Sequence, residues 1–225
     1  MAKLTDEEPC PTGAADPGRW IWLSDEGLQL PRPSALDRDF SDVLARRNSV
    51  PGHTSITQQE LSTILWHSCL IRERRPSPGP LRGWESRSAP SAGGLHEIEI
   101  LCLPLDYSLP ISWYDPLRHR LIPTAKEGGS DDYRQVIADL CGSTAGITLQ
   151  FVADWLRLST VYANASSLLW RDAGALLTTV CLVAEAANVA STPLGRESFI
   201  RGLMPSDEPE RWRLCGGVHL CGRKQ

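Results

Sequence analysis

The sequence is poor in features that would assign a protein to a dithiol redox or metal-binding class. Its seven cysteines are odd in number and contain no C-x-x-C pair. Cys102 and Cys181 stand in apolar patterns that are typical of small buried side chains. We therefore expect a reducing, cytoplasmic environment. For Cys215 and Cys221, on the last predicted strand, a core role is expected, and a disulfide or metal pair is the alternative. No metal site is predicted.

The sequence also lacks long runs of basic or apolar residues. Its net charge is -4 and its pI is near 5.7. The absence of a long basic run disfavours nucleic acid and anionic membrane as partners. The first residues, Met1 to Glu8, are acidic and contain no apolar core of a signal peptide, so no secretory signal is expected. No apolar run is expected to span a bilayer.

The length and composition that remain are typical of one globular domain. The chain has 225 residues, of which 41% are hydrophobic and 22% charged. Residues 1–33 are rich in proline, glycine and acidic residues, and we predict an N-terminal arm with little regular structure. A short strand at 20–23, W-I-W-L, is the one element expected there. Residues 34–225 are predicted to form the folded domain.

Residues 87–100, R-S-A-P-S-A-G-G-L-H-E-I-E-I, are the most informative part of the chain. Pro90 fixes its own φ, Ser91 offers a hydroxyl, and the glycine pair that begins at Gly93 permits conformations and close approaches closed to other residues. The alternation over 97–103 predicts a half-buried strand. A glycine-rich loop that leads into a regular element often holds a cofactor with main-chain groups. The alternative is a tight turn before a strand.

A second motif, R-R-N-S-V, follows a predicted helix on which apolar residues recur at helical spacing from Leu36 to Leu44. Arg47 carries a permanent charge and a guanidinium fork that suits phosphate. Asn48 and Ser49 add neutral hydrogen-bonding groups. The alternative is a solvated helix end, where arginine offsets the helix dipole.

Other elements follow from periodicity and turn signals. The T-Q-Q-E sequence at 57–60 predicts a capping box that opens a helix. Residues 72–86 contain three prolines and two glycines and predict a mobile loop, either a cover for the site or plain surface. The remaining predictions are strands at 111–116, 118–123, 146–154 and 213–222, helices at 133–141 and 168–189, and a polar loop at 126–132.

The helix predicted at 168–189 is apolar almost all round, which is typical of a buried helix. Ala173, Gly174 and Ala175 would permit close approach by another backbone. Arg171 and Asp172 are polar, and if they are buried they must be paired or hydrogen-bonded.

The run Pro90-Ser91-Ala92-Gly93-Gly94-Leu95-His96, followed by an alternating strand, resembles the flavin loop of the nitroreductase-like superfamily, and most closely that of its SagB-type azoline dehydrogenase branch. The R-N-S segment at Arg47 resembles the R-x-S segment of the same family. The resemblance implies an α+β nitroreductase-like fold with a central antiparallel sheet surrounded by helices. It also implies an intertwined homodimer, in which the helix at 168–189 lies at the interface and two subunits share FMN sites. The alternative for this helix is a core position within a single chain.

The resemblance also implies which residues bind FMN. The positions that match the phosphate and ribityl segments are Arg47, Asn48, Ser49 and, near the C-terminus, Arg223 or Lys224. The positions that would lie along the flavin ring are Pro90, Ser91, Ala92, Gly93, Leu194 and Gly195.

Several positions depart from the family pattern, among them Ala163 and Ala165 in place of a glycine and an arginine, and two departures bear on the chemistry. Val161 stands where azoline dehydrogenases carry the lysine of a Lys-Tyr pair, and valine has no titratable group for acid–base work. Pro51 stands where a further basic residue often contacts the phosphate. Tyr162 matches the tyrosine of the pair and is the candidate catalytic residue, with a packing role as the alternative.

The predicted function is FMN-dependent oxidoreduction of a small molecule or peptide, for example in peptide or natural-product tailoring. FMN would carry the electrons or hydride, and the protein would supply binding and orientation. The alternative, which Val161 and Pro51 favour, is a degenerate, non-catalytic subunit that binds or scaffolds. A third hypothesis is a non-redox enzyme that uses the same pocket.

Overall fold

The computed structural model describes residues 7–18, 26–50, 52–75, 84–106, 108–124, 130–195 and 209–223. The strand predicted at 20–23, Pro51 and Lys224 lie outside the described residues, as do parts of the loops predicted at 72–86 and 126–132.

Within these residues, most of the predicted elements are present. The strands are β1 (Cys10–Pro11), β2 (Leu28–Gln29), β3 (Glu73–Arg75), β4 (Trp84–Ser86), β5 (Ile98–Pro104), β6 (Ser112–Asp115), β7 (Arg120–Pro123), β8 (Ile147–Asp154), β9 (Tyr162–Ala163), β10 (Val189–Leu194) and β11 (Trp212–Gly222). The helices are α1 (Phe40–Arg46), α2 (Gln58–Cys69), α3 (Ser130–Cys141), α4 (Trp155–Val161) and α5 (Ser166–Ala186), with short 3-10 turns at Ala92–Gly94 and Pro209–Arg211.

An antiparallel sheet forms the centre of the domain, which confirms the predicted fold class. Its strand order is β10-β11-β8-β5-β6-β7-β2, and each neighbouring pair is antiparallel. Helices cover both faces. The core that contains Leu61 of α2 and Val180 of α5 lies on one face, and the core that contains Tyr133 of α3 lies on the other.

Strand β5 is buried along its whole length rather than half-buried as predicted. Ile98 and Ile100 belong to one core cluster, and Leu101 and Leu103 to the other, so both faces of the strand are covered. The prediction was wrong because the glutamates that alternate with apolar residues do not face solvent: Glu99 is only 2% exposed. Alternation of polarity reports two faces of a strand but not which of them meets water.

The predicted capping box at the start of α2 is confirmed. The Thr57 hydroxyl accepts a hydrogen bond from Glu60 N at 3.1 Å, and the Glu60 carboxylate accepts one from Thr57 N at 2.7 Å. These bonds satisfy two main-chain donors that a helix start leaves without partners. Helix α2 therefore begins at a fixed point and presents Leu61, Ile64 and Leu65 to the core.

Helix α5 is less buried than the sequence predicts. Of the most apolar 18-residue stretch of the helix, only 28% is buried. The Trp170 side chain is 55% exposed, and a Cβ built on Gly174 meets no atom within 4 Å. The helix is long and apolar enough to cross a membrane, contrary to our expectation of no such run, although core helices of soluble proteins pass the same test. The helix packs on β10, β11, α2 and α1, and the side that carries Trp170 and Gly174 lacks a partner within the described residues.

The described parts of the arm are docked on the domain. Strand β1 pairs with β9, and β2 extends the central sheet beside β7. Asp16 forms a bidentate ion pair with Arg157, with oxygen–nitrogen distances of 2.9 and 2.8 Å, and both side chains are buried. Arg157 Nη1 also donates to Leu95 O at 2.9 Å. The arm thus reaches the predicted flavin loop through one shared arginine.

The segment predicted as a mobile loop at 72–86 contains two paired strands. Strands β3 and β4 pair in antiparallel register, with Arg75 opposite Trp84. The Arg75 guanidinium lies 4.7 Å from the centre of the Trp84 ring. The structure therefore corrects the prediction at both ends of the segment, while residues 76–83 between them lie outside the described residues.

A buried histidine in the β6–β7 hairpin forms hydrogen bonds that connect the hairpin to α2. His119, which has a positive φ of 54°, contacts the Tyr114 hydroxyl through Nδ1 and the Ser62 hydroxyl through Nε2, each at 2.8 Å. Because the Ser62 hydroxyl donates to Pro31 O, it accepts from Nε2–H, and Nδ1 accepts from Tyr114. Burial lowers the pKa of His119, so the neutral ring is the favoured form.

Candidate functional site

The loop from Ser91 to Leu95 has a backbone that requires glycine. Gly93 and Gly94 have φ values of 55° and 67°, in the left-handed region that favours glycine. Gly94 N donates to Ser91 O at 3.0 Å, which closes the turn. A Cβ on Gly94 would lie 2.6 Å from Trp84 Nε1 and closer still to the ring carbon Cδ1. The loop therefore has both a conformational and a packing reason for its glycine pair.

Gly94→Ala is expected to destabilise the protein by about 1–3 kcal/mol through backbone strain, with a further cost for displacing Trp84. Gly142→Ala is the matched control, since Gly142 has a similar φ of 63° but a Cβ there meets nothing within 4 Å. It should show the strain cost alone. Urea denaturation of both variants measures the difference, and equal losses would mean that Trp84 does not constrain the loop.

The polar groups of the loop are engaged by helix α5. The Ser91 hydroxyl and Ala92 N–H both lie 2.7 Å from Asp172 Oδ2. Asp172 is 9% exposed, so the expectation that a buried polar residue on this helix must be hydrogen-bonded is met. Two groups that were predicted to lie along a flavin ring are thus hydrogen-bonded within the chain itself.

A cavity lies beside the loop, with about 350 Å³ of empty space that includes its opening to solvent. Glu97, which is 1% exposed, and Asp172 both line it. Burial, followed by the negative charge of Asp172, raises the pKa of Glu97 to about 7. The rest of the lining comprises Ser68, Cys69, Arg87, Ala89, Pro90, Ser91, His96, Ile98, Ile100 and Leu176.

Four arginines, Arg38, Arg46, Arg47 and Arg223, lie near the C-terminal end of α5, where β10 begins and β11 ends. We call them the basic cluster. Ser49 pairs with Ser191 of β10 in a parallel bridge, and the chain then passes beside the end of β11, where Gly222 N donates to Thr54 O at 2.8 Å. Arg47 is half-buried there. Its guanidinium acts on Cys181. Burial raises the pKa of that thiol overall, and a hydrogen bond with Ser191 and the Arg47 charge oppose part of this rise.

One buried acid serves three arginines of this cluster. Glu185, 1% exposed, forms ion pairs with Arg38 at 3.3 Å, with Arg46 at 3.8 Å and with Arg223. Among the described residues, Arg47 has no carboxylate within ion-pair distance, and Arg223 Nε is buried without a hydrogen-bond partner. The cluster therefore has excess positive charge and spare donors, which suit a phosphate.

The loop and the basic cluster are separate within one chain. The loop contacts α5 at Asp172 and the cluster contacts it at Glu185, thirteen residues further along. At about 1.5 Å rise per residue, this is about 20 Å along the helix axis. The two predicted halves of a flavin site thus lie at different levels of the same helix.

Comparison with known proteins identifies the fold. No family model and no curated protein sequence matches the chain. A protein from Ralstonia eutropha JMP134 assigned as a nitroreductase has a similar structure, with a TM-score of 0.64 and 17% identity, covering 97% of this chain and 100% of its own. The chain has the nitroreductase fold.

Two further nitroreductase-fold structures are similar over most of the chain. One is in the Escherichia coli microcin synthetase complex McbBCD with truncated pro-MccB17 bound, with a TM-score of 0.59 and 15% identity over 93% of this chain and 80% of that one. The other, from Anabaena variabilis, has a TM-score of 0.59 and 23% identity over 72% of this chain, but this spans only 34% of that protein. At these identities the likeness establishes the fold alone.

The structure brings some predicted site residues of the nitroreductase fold together and leaves others apart. Pro90, Ser91, Ala92 and Gly93 form the loop, and Arg47, Ser49 and Arg223 lie in or beside the basic cluster, where Asn48 is exposed. Leu194, at the end of β10, is 8% exposed and packs in the core cluster of α3, while a Cβ on Gly195 would meet nothing within 4 Å.

Tyr162 lies in the core of the nitroreductase fold rather than on an open surface. It is 9% exposed, belongs to the main core cluster and pairs through β9 with Pro11 of the arm. Val161 beside it is 5% exposed. This position favours the packing role for Tyr162 over the catalytic one.

Three acids that matter here had no predicted role at the site. Asp172 bonds the loop, Glu97 lines the cavity, and Glu185 pairs with arginines of the basic cluster. Each of the three is 9% exposed or less. A signal existed for Asp172 and Glu185, because each is an isolated acid in an otherwise apolar helix. No group of three or more metal-binding side chains is arranged to hold a metal ion in the described residues.

Proposed function

We propose that the protein is an FMN-dependent oxidoreductase with the nitroreductase fold. The observation that supports this most is the basic cluster, where Arg47 has no acidic partner among the described residues and Arg223 has a spare donor. The cluster contains the R-N-S segment, which resembles the phosphate-binding segment of the nitroreductase-like superfamily. Arg47, Ser49 and Arg223 would hold the phosphate by charge-assisted hydrogen bonds.

The loop would serve the flavin ring as a platform. Because the Ser91 hydroxyl and Ala92 N–H are bonded to Asp172, we do not assign them direct bonds to the ring. Gly93, which has no side chain, would instead allow a flat ring to approach the backbone. When bound, FMN supplies the transfer of electrons or hydride, and the protein supplies orientation and exclusion of water.

We further propose a homodimer built on α5. A two-fold axis across this helix would place two copies of it antiparallel, so the loop end of one helix would lie beside the cluster end of the other. Large apolar side chains are exposed near both ends, with Trp170 55% exposed on α5 and Phe40 and Leu44 65% and 53% exposed on α1, which contacts α5. Such a pair would bring the two halves of the site together.

The test is the visible spectrum and FMN affinity of the purified protein, compared with Arg47→Gln. Loss of the charged donors is expected to weaken FMN binding about tenfold to hundredfold. Arg118→Gln is the matched control, because it removes the same charge from an exposed side chain on the β6–β7 hairpin, at the opposite part of the sheet. It should bind FMN like the wild type. A protein that binds no FMN at all would contradict the proposal.

The alternative function is a non-catalytic subunit that keeps the fold and binds a partner. The observation that favours it is the burial of Val161 and Tyr162. These residues occupy the positions of the family's Lys-Tyr pair, and valine is not titratable while the buried tyrosine is out of reach of a ligand. The similarity to a microcin synthetase complex makes a peptide substrate or partner proteins part of either proposal. FMN that raises the melting temperature but accepts no electrons from any donor would favour the alternative.

We also propose a cytoplasmic location. None of the seven cysteines, all of which lie in the described residues, forms a disulfide, and six of them are buried. This agrees with a reducing environment. Neither nucleic acid nor membrane is proposed as a partner.

A further inference from the structure

The Ser91 hydroxyl has three polar neighbours, and its single proton can serve only one acceptor. It lies 2.7 Å from Asp172 Oδ2, 3.2 Å from Glu97 Oε2 and 2.9 Å from His96 N. The His96 N–H is a donor, so Ser91 accepts there. The shortest contact, to Asp172, takes the hydroxyl proton. The contact to Glu97 is then a hydrogen bond only if Glu97 brings a proton of its own.

The surroundings of Glu97 favour this protonated form. The residue is 1% exposed, and within the described part of the chain its Oε1 atom has no hydrogen-bond partner. Asp172 adds a negative charge, and the Arg157 guanidinium opposes it without cancelling it, because the pKa of Glu97 still rises to about 7. A buried carboxylate with one unsatisfied oxygen would be costly, whereas a neutral acid is not.

We infer that Glu97, Ser91 and Asp172 form a buried proton relay under the predicted flavin loop. Glu97 gives its proton to Ser91 Oγ while Ser91 gives its own proton to Asp172 Oδ2. Glu97 ends as the carboxylate and Asp172 as the acid, and no electrons move. The inference rests on the proposed function, because the proton would accompany the electrons that a flavin on the loop receives.

The position of the relay agrees with this role. It ends at Asp172 Oδ2, 2.7 Å from Ala92 N, in the loop on which the ring would lie. At its other end, Glu97 lines the cavity together with Ser68, whose buried hydroxyl has no partner within the described residues. A water molecule held between the Ser68 hydroxyl and Glu97 would return a proton to Glu97. The titratable and charged groups that surround Glu97 are Asp172 of α5, Arg157 of α4, Cys69 of α2, and Arg87 and His96, which stand before and after the loop.

Infrared spectroscopy of the protein without FMN tests the arrangement of protons directly. The wild type is expected to show the carbonyl band of a protonated carboxyl at pH 6, and this band should lose half its intensity near pH 7, the pKa of Glu97. The band should be absent from Glu97→Gln. Glu99→Gln, which changes a second buried glutamate two residues further along the chain, is the matched control and should keep it.

Asp172→Asn provides a second variant in case Glu97→Gln does not fold. Removing the negative neighbour should move the midpoint of the band toward the ordinary pKa of glutamic acid, while the asparagine oxygen still accepts from Ala92 N–H. A wild type without a protonated carboxyl band between pH 5 and pH 8, or a band that survives in Glu97→Gln, would overturn the inference. Because no cofactor is used, this result is separate from the outcome of the FMN-binding test.

The timing of proton uptake tests delivery to the flavin. When FMN bound to the wild type is reduced rapidly at pH 6 in the presence of a pH indicator, uptake of the first proton from solution should lag behind flavin reduction, since the relay supplies that proton and Glu97 is reloaded afterwards. In Glu97→Gln, uptake should coincide with reduction. Uptake that coincides with reduction in both proteins would show that Glu97 is a static buried acid and would end the relay hypothesis.

Discussion

Arg157→Met is expected to destabilise the protein by about 3–5 kcal/mol, because it removes the guanidinium that balances the charge of the buried Asp16 carboxylate, to which only neutral donors such as Gly18 N–H would still be bonded. The two side chains are 5% and 8% exposed and share three hydrogen bonds. The same substitution also removes the donor to Leu95 O, at the end of the predicted flavin loop. Urea denaturation gives the free energy of unfolding, and the proposed division into an arm, 1–33, and a domain, 34–225, predicts release of the arm before global unfolding.

The control for this substitution is Arg75→Met, which removes an arginine from an exposed ion pair. Arg75 and Glu73 are 66% and 51% exposed, so solvent screens the pair and its separation should cost far less than loss of the buried pair. The double variant Asp16→Asn with Arg157→Met should recover part of the loss, since no unpaired charge is then buried. A loss of less than about 1 kcal/mol for Arg157→Met alone would show that the arm is not held by this pair.

Elements that depend on local pattern were predictable from the sequence. Strands β8 and β11 and helix α2 are close to their predicted bounds, because alternation, helical spacing and capping act between residues a few positions apart. Exposure was less predictable. Helix α1 has the predicted apolar spacing, yet Phe40 and Leu44 are exposed and only Val43 is buried. Periodicity identifies a helix but not whether a neighbour covers each side of it.

The polar contacts of the candidate site could not be predicted, because they join distant parts of the chain. Ser91 and Asp172, which share a hydrogen bond, are 81 residues apart. Glu185 forms ion pairs with Arg46 of α1, with Arg38 in the segment before α1 and with Arg223 near the C-terminus. The motif at Arg47 predicts a cation near a phosphate, but only the fold shows which neighbouring cations are already paired.

Gly174→Glu is expected to separate the proposed dimer without unfolding the subunit. A side chain at this position meets no atom within 4 Å in the single chain, so the fold should tolerate it. Replacing a helical glycine should even stabilise the subunit, by up to about 1 kcal/mol. At a close contact between two α5 helices, however, two glutamates would face each other across the axis. Light scattering after gel filtration should then show a monomer, with loss of bound FMN because each site needs both copies.

Two variants separate this effect from a general effect of charge or helix propensity. Gly174→Ala should keep the dimer and raise stability, since a methyl group is small. Leu140→Glu introduces the same charge on α3, on the opposite face of the sheet, at a side chain that is 47% exposed, and should leave both dimer and flavin unchanged. If Gly174→Glu remained a dimer with flavin bound, the exposed face of α5 would not be the interface. If it became a monomer that still bound FMN, one chain would hold the cofactor alone, and the roughly 20 Å between loop and cluster along α5 would have to be spanned by a single ligand.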